Sequence, residues 1–450
     1  MIKFFPNKNL FKEIMDIAVP VIGGLATQLF LSIIDTAMVG RLENAQIALA
    51  AQGIALLASW ALISFFSSIS TGTHVVVARR QGEGDYLGVG NALNNSIILS
   101  LILGFVFAII GYFVAGSVMD FFSKDIAVAR EGTGYMIFRF FSLPFFLMIV
   151  SYRGFFYGIG HSRIVLISAI VTMVVHIVSN FLFIFGNLGF PKLGLTGAGV
   201  SSFISLIAGW FILFSVTFLP SYRITYGLFK GFKLNKEVIQ KILKISAPIS
   251  IQNVLILLGF LVFISIVGII GTIAQAASQV VISALFISFI FSFGLGAAAQ
   301  TLVGQSIGKG NYSRAQIYGF ETAKIGTYVT FFIGVLFIVF PSDILSLITN
   351  DKLIILTAKP LLQIAGLSQI LYSAGIILAH SLQAAGATIY VMIVEILTHW
   401  FIFLPLTYVY GVILHGGIVA AWWALPIYVL MFLSLNYLKF HSKSWVKIKL

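Results

Sequence analysis

Residues 17–40 read IAVPVIGGLATQLFLSIIDTAMVG, and within them Asp35 is the single charged residue. About 20 apolar residues suffice to carry a helix across the hydrocarbon core of a bilayer. Lys3, Lys8 and Lys12 precede the stretch and give it the flank of a signal peptide. It is too long for a signal-peptide apolar region, however, and has no small-residue cleavage site, so it reads as an uncleaved first span. Further runs of the same character follow at 46–78, 89–113, 130–152, 162–186, 195–219, 243–270, 272–303, 317–340, 354–382, 388–411 and 416–438. Unpaired backbone amides are too costly in lipid for anything but helices or closed barrels, and runs of this length do not suit barrel strands. The expectation is an all-α polytopic membrane protein with twelve transmembrane helices.

Composition agrees. Of 450 residues, 59% are hydrophobic and 9% charged, and the mean hydropathy is +1.05. A soluble domain carries about 25% charged residues. There is no cysteine, which excludes disulfides and thiolate chemistry. The net charge of +13 is scattered over short loops rather than gathered in a patch, so it reads as membrane orientation and not as nucleic-acid binding. With the N-terminus inside, the inner segments carry 19 Lys and Arg against 6 in the outer loops, which places both termini in the cytoplasm of a cell-membrane protein.

The chain repeats itself. Pro20 and Val39-Gly40 match Pro248 and Val267-Gly268, Gly82-Glu83-Gly84-Asp85-Tyr86 matches Gly308-Lys309-Gly310-Asn311-Tyr312, and Gly160 matches Gly386. The long polar connection between spans six and seven then separates two halves: a six-helix bundle over 1–219, a cytoplasmic linker over 220–244 and a second six-helix bundle over 245–450. An even number of spans gives both halves one orientation, so a pseudo-two-fold axis along the membrane normal and a cleft between bundles are expected. That is transporter architecture, and a monomer can be complete.

Ala18-Val19-Pro20 through Ile34-Asp35-Thr36-Ala37-Met38-Val39-Gly40, Val303-Gly304-Gln305-Ser306-Ile307-Gly308-Lys309-Gly310-Asn311, and Phe185-Gly186 to Gly194-Leu195-Thr196-Gly197-Ala198-Gly199 together resemble the MATE exporters over nearly the whole chain. The resemblance implies antiport: export of amphipathic, often cationic compounds, driven by inward flow of protons or sodium ions. The acids of one branch of that family lie in spans seven and ten, where this chain has Gln252-Asn253 and the neighbourhood of Tyr372. The sequence is similar instead to the DinF-like branch, which relies on the N-terminal half.

Asp35 is the leading site residue, because an intramembrane carboxylate costs several kcal/mol unless paired, protonated or hydrated. It lies about 8 Å in from the outer end of span one, Asn180 about 9 Å in on span five and Ser202 about 10 Å in on span six, at 1.5 Å per residue. His176 sits one turn from Asn180 on the same face. Where the DinF-like branch shows an Asn and then an Asp on span five and a Thr on span six, this chain has His176, Asn180 and Ser202. Loss of the second carboxylate favours protons over sodium as the coupling ion, with sodium at Asp35 and Asn180 as the second reading. His176 reads equally as a coupling group or as a hydrogen-bonded core residue. Tyr135 matches a family tyrosine lining this cavity. Glu395 and His399 lie i,i+4 on span eleven, either paired with each other or facing substrate, and Pro20 is a candidate conformational kink.

No nucleophile–base pair, metal motif or Gly-x-x-x-x-Gly-Lys-Ser/Thr sequence is present, so neither an enzyme nor ATP use is expected, and no cofactor beyond the coupling ion. The alternative is a flippase for lipids or lipid-linked sugars, which normally lines its cavity with several basic residues.

Overall fold

The computed structural model describes residues 8–230 and 234–448. Lys3 and residues 231–233 of the expected linker lie outside them. Among the described residues there are helices and no strands. Eleven single helices are long and apolar enough to cross a membrane, and a bent pair makes a twelfth. The first three spans are Lys8–Val39, Ala45–Glu83 and Tyr86–Phe122; the fifth and sixth are Ser162–Phe183 and Gly194–Thr217. The seventh to twelfth are Lys236–Ile270, Thr272–Gly308, Tyr312–Val339, Lys352–Ala384, Thr388–Ile413 and Gly417–His441.

The fourth span is the bent pair, Ile126–Phe141 and Leu143–Gly158, turning by 43° at Ser142. Pro144 is the cause: it has no N–H for the carbonyl of residue 140, and its ring crowds that carbonyl. The tenth span at the matching place in the second half runs unbroken, with Ile370 where Pro144 stands in the first.

Each half is tied together by the same local chemistry. Gly84 ends the second span with φ +77°, and the Asp85 carboxylate then accepts from the Gly88 N–H at 2.9 Å to start the third. In the second half Gly310 has φ +71°, and Asn311 accepts from the Arg314 N–H at 2.9 Å. Asp125 and Asp351 cap the helices that follow in the same way, accepting from Ala127 and Leu353 at 2.8 Å. Such caps satisfy orphan N–H groups, each worth about 1 kcal/mol. Packing repeats as well: the second and third spans pack on the fourth, and the eighth and ninth on the tenth.

The faces are those of a lipid-solvated bundle. On the third span Ile102, Phe105, Ile109 and Phe113 are exposed, while Gly104, Ala108, Gly111 and Ala115 are buried. Large apolar residues outward and small residues inward is the membrane arrangement, in which small side chains let backbones approach. Buried hydroxyls pair across helices: Thr73 with Ser96, and Ser96 and Ser100 with Ser151, all at 2.7 Å.

Two compact units result, Gly23–Ser250 and Met1–Ile22 with Ile251–Leu450. Their boundaries fall inside the first and seventh spans, two residues beyond Pro20 and two beyond Pro248, rather than in the connection between spans six and seven.

Candidate ion-coupling site

Asp35 is buried near the C-terminal end of the first span, inside the unit Gly23–Ser250. Its Oδ1 accepts from Asn180 Nδ2 at 2.8 Å and lies 3.1 Å from His176 Nε2; its Oδ2 accepts from Gln52 Nε2 at 2.8 Å. Three donors from the second and fifth spans therefore surround one carboxylate, the pairing a buried charge requires. His176 and Asn180 reach it together because i,i+4 spacing puts both on one face of the fifth span.

The far side of the imidazole meets the sixth span. His176 Nδ1 lies 3.2 Å from Ser205 Oγ, and that hydroxyl also lies within hydrogen-bonding reach of the Ser202 carbonyl at 3.0 Å. Asp35, His176 and Ser205 thus form one continuous chain of polar contacts.

Of the expected residues, the fold brings Asp35, His176 and Asn180 into direct contact. Ser202 enters differently: its backbone carbonyl, not its hydroxyl, joins the network, and Ser205 is the side chain that touches His176. Tyr135, fully buried on the first segment of the fourth span, turns its hydroxyl toward Gln52. Arg139, one turn further along, is the cation within electrostatic range of Asp35 and Tyr135. Gln52 and Ser205 were not anticipated. Gln52 carried a readable signal, since it lies about 10 Å into the second span, the depth of the other three. At the outer surface Lys192 bridges Glu43 at 2.7 Å, which holds the exposed Glu43 carboxyl below its ordinary range.

Glu395 and His399 belong to the other unit. They do not pair. Glu395 accepts from the Tyr428 hydroxyl at 2.7 Å, and His399 Nε2 is buried without a partner beside Gly259. The turn between them is regular, the His399 N–H donating to the Glu395 carbonyl, but the carboxylate turns to Tyr428 rather than to His399, and a π turn begins only beyond it, over His399–Phe403 just before Pro405. Pro405 cannot donate to the helix ladder, and such turns relieve that loss. The counterpart of Asp35 in this unit, Phe263, stacks on Phe403 at 5.2 Å and meets Trp422 edge-on at 5.8 Å. One bundle holds a carboxylate–imidazole cluster where the other holds an aromatic one. Among the described residues no group of three or more His, Asp or Glu is arranged to hold a metal ion.

Repeated bundles of apolar helices, with a buried titratable cluster in one of them, define a multi-pass membrane transporter. The MatE family model matches residues 20–182 and again 248–409, once in each half, and the chain belongs to that family of transporters, which are not enzymes. It is 26% identical over 438 residues to a probable multidrug resistance protein NorM of Thermotoga maritima, covering 97% of this chain and 93% of that one. It is 25% identical to the probable multidrug resistance protein YoeA of Bacillus subtilis, covering 81% and 79%. A crystal structure of MATE in the straight conformation superposes with a TM-score of 0.88 at 19% identity, covering 96% of this chain and 95% of that one.

Proposed function

We propose that this chain is a multidrug-type exporter of the cell membrane, moving amphipathic organic compounds out in exchange for protons by alternating access. Both termini lie in the cytoplasm, a single chain is the working unit and no ATP is used. The exporter reading draws on the multidrug resistance names of the relatives. Coupling rests on one observation: the 3.1 Å contact of His176 with the buried Asp35 carboxylate. Protonation drives transport only if it favours one conformation over another, and a buried carboxylate–imidazole pair whose charge must be compensated meets that condition.

Sodium is the weaker reading. Hard cations need converging oxygen lone pairs, whereas Asp35 is met by three N–H-bearing groups, and Asn180 offers it Nδ2 while its own Oδ1 stays unpaired. The location of the acid in the first half supports the DinF-like branch. Pro20, two residues before the boundary between compact units, is the proposed hinge. The flippase alternative draws no support, because the cavity beside Asp35 is lined by one basic residue, too few for a pyrophosphate. Dye movement in proteoliposomes under separately imposed pH and sodium gradients tests the proposal. A pH gradient alone should drive transport; a strict sodium requirement would overturn proton coupling.

A further inference from the structure

A cavity opens beside the Asp35 cluster, within the same unit, among the first, fourth, fifth and sixth spans. Leu31, one turn from Asp35, and Met173, one turn from His176, contribute to its apolar wall. Arg153 is the only charged residue lining it. The chain's inner-side basic residues orient it in the membrane, yet this one faces a cavity with no acid in it. Among the described residues Arg153 has no hydrogen bond and no ion pair, and its Nε is sealed from solvent.

The other polar groups do not compensate it. Thr27, Ser168 and Thr172 each donate at 2.8 Å to backbone carbonyls, of Gly24, Gly209 and Ser168 respectively. Those protons are therefore committed to backbone, and none of the three hydroxyls is bonded to Arg153. The open donors are the Arg153 guanidinium and the Gln28 amide. A guanidinium at membrane depth is costly without a partner, and its planar fork matches a carboxylate or sulfonate.

We infer that this cavity binds an amphipathic organic anion, with its carboxylate or sulfonate on Arg153 and Gln28 and its apolar body against Leu31 and Met173. The charge preference is opposite to that expected from the family resemblance, because a cationic headgroup would meet Arg153 with no acid in the lining to offset the repulsion. The inference deepens the exporter reading and rests on it for calling the ligand a substrate.

The test is equilibrium binding of 1-pyrenebutyrate and of 1-pyrenemethylammonium to the full chain in phosphatidylcholine nanodiscs, corrected for empty discs. Pyrenebutyrate should bind saturably and about tenfold or more tighter than the ammonium probe, as expected for a desolvated charge pair. Arg153→Gln should weaken it about 30-fold or more, whereas Arg153→Lys should keep most of the affinity. Equal affinity for the two probes, unchanged binding in Arg153→Gln, or equal loss in both variants would overturn the assignment. Phosphatidylglycerol added to the discs separates two sources of the anion: displacement of the probe points to an anionic lipid, undiminished binding to a soluble organic anion. No gradient enters these measurements. Failure of anion binding leaves proton-coupled transport standing, and failure of transport leaves the binding result standing.

Discussion

Asp35 and His176, 141 residues apart in sequence, meet at 3.1 Å inside one six-span bundle, and the other nitrogen of that imidazole is held by Ser205. Under the proposed coupling the two act as a pair, since ionisable groups this close are not independent of one another.

His176→Gln keeps a side chain able to donate to Asp35 but removes titration. Transport should persist at reduced rate, and its dependence on pH between about 5 and 8 should flatten. Substrate efflux measured across that range checks this; a profile like that of the unaltered protein would make His176 a core residue only.

Ser205→Ala removes the hydroxyl that meets His176 Nδ1, at a cost of about 1 kcal/mol and a several-fold loss of coupled transport. Ser202→Ala should stay within about 0.5 kcal/mol in stability and leave coupling unaltered, since Ser202 contributes a carbonyl. Thermal melting and coupled efflux of the two variants, side by side, decide between them.

Much of this site was legible in the sequence because its signals are one-dimensional. A lone carboxylate in an apolar run marks Asp35, and helical spacing with depth from the span ends brings His176 and Asn180 to it. Gln52 escaped although its depth of about 10 Å into the second span matches that of the others, because an amide in an apolar run stands out less than a carboxylate. Ser205 escaped because a hydroxyl in a span is usually bonded to its own helix; Ser205 is so bonded, and receives His176 besides. The Glu395–His399 pair failed for a different reason: i,i+4 spacing puts two side chains on one face, but Tyr428 of the twelfth span takes the carboxylate. The bend at Ser142 was likewise hidden, since apolar run length records a span but not its direction.

Glu395→Gln should fold normally, because an amide oxygen still accepts from Tyr428. Glu395→Ala leaves that buried hydroxyl unpaired and should cost about 1–3 kcal/mol, seen as a lower melting temperature. Neither change should alter the pH dependence of transport, and an altered profile would bring Glu395 into the coupling cycle.

Glu43 provides the contrast at the surface. Lys192 holds its carboxyl below the ordinary value, so the attraction is present above that value and is lost as pH falls through the lowered one. Glu43 is therefore ionised throughout the pH range of about 5 to 8, and Glu43→Gln should leave efflux unchanged across it. Efflux measured as for His176→Gln checks this, and a flattened profile would place the titrating group at the rim.

The most direct measurement is proton release from proteoliposomes loaded with a pH-reporting dye, with substrate added, for the unaltered protein and for Asp35→Asn. Asn at 35 keeps the shape of the side chain and can accept from Gln52 or from Asn180 through its one amide oxygen, but it cannot carry the proton. Substrate-dependent proton flux should be present in the first and absent in the second, with both proteins melting within a few degrees of each other. Undiminished proton flux in Asp35→Asn would contradict the assignment of coupling to this carboxylate.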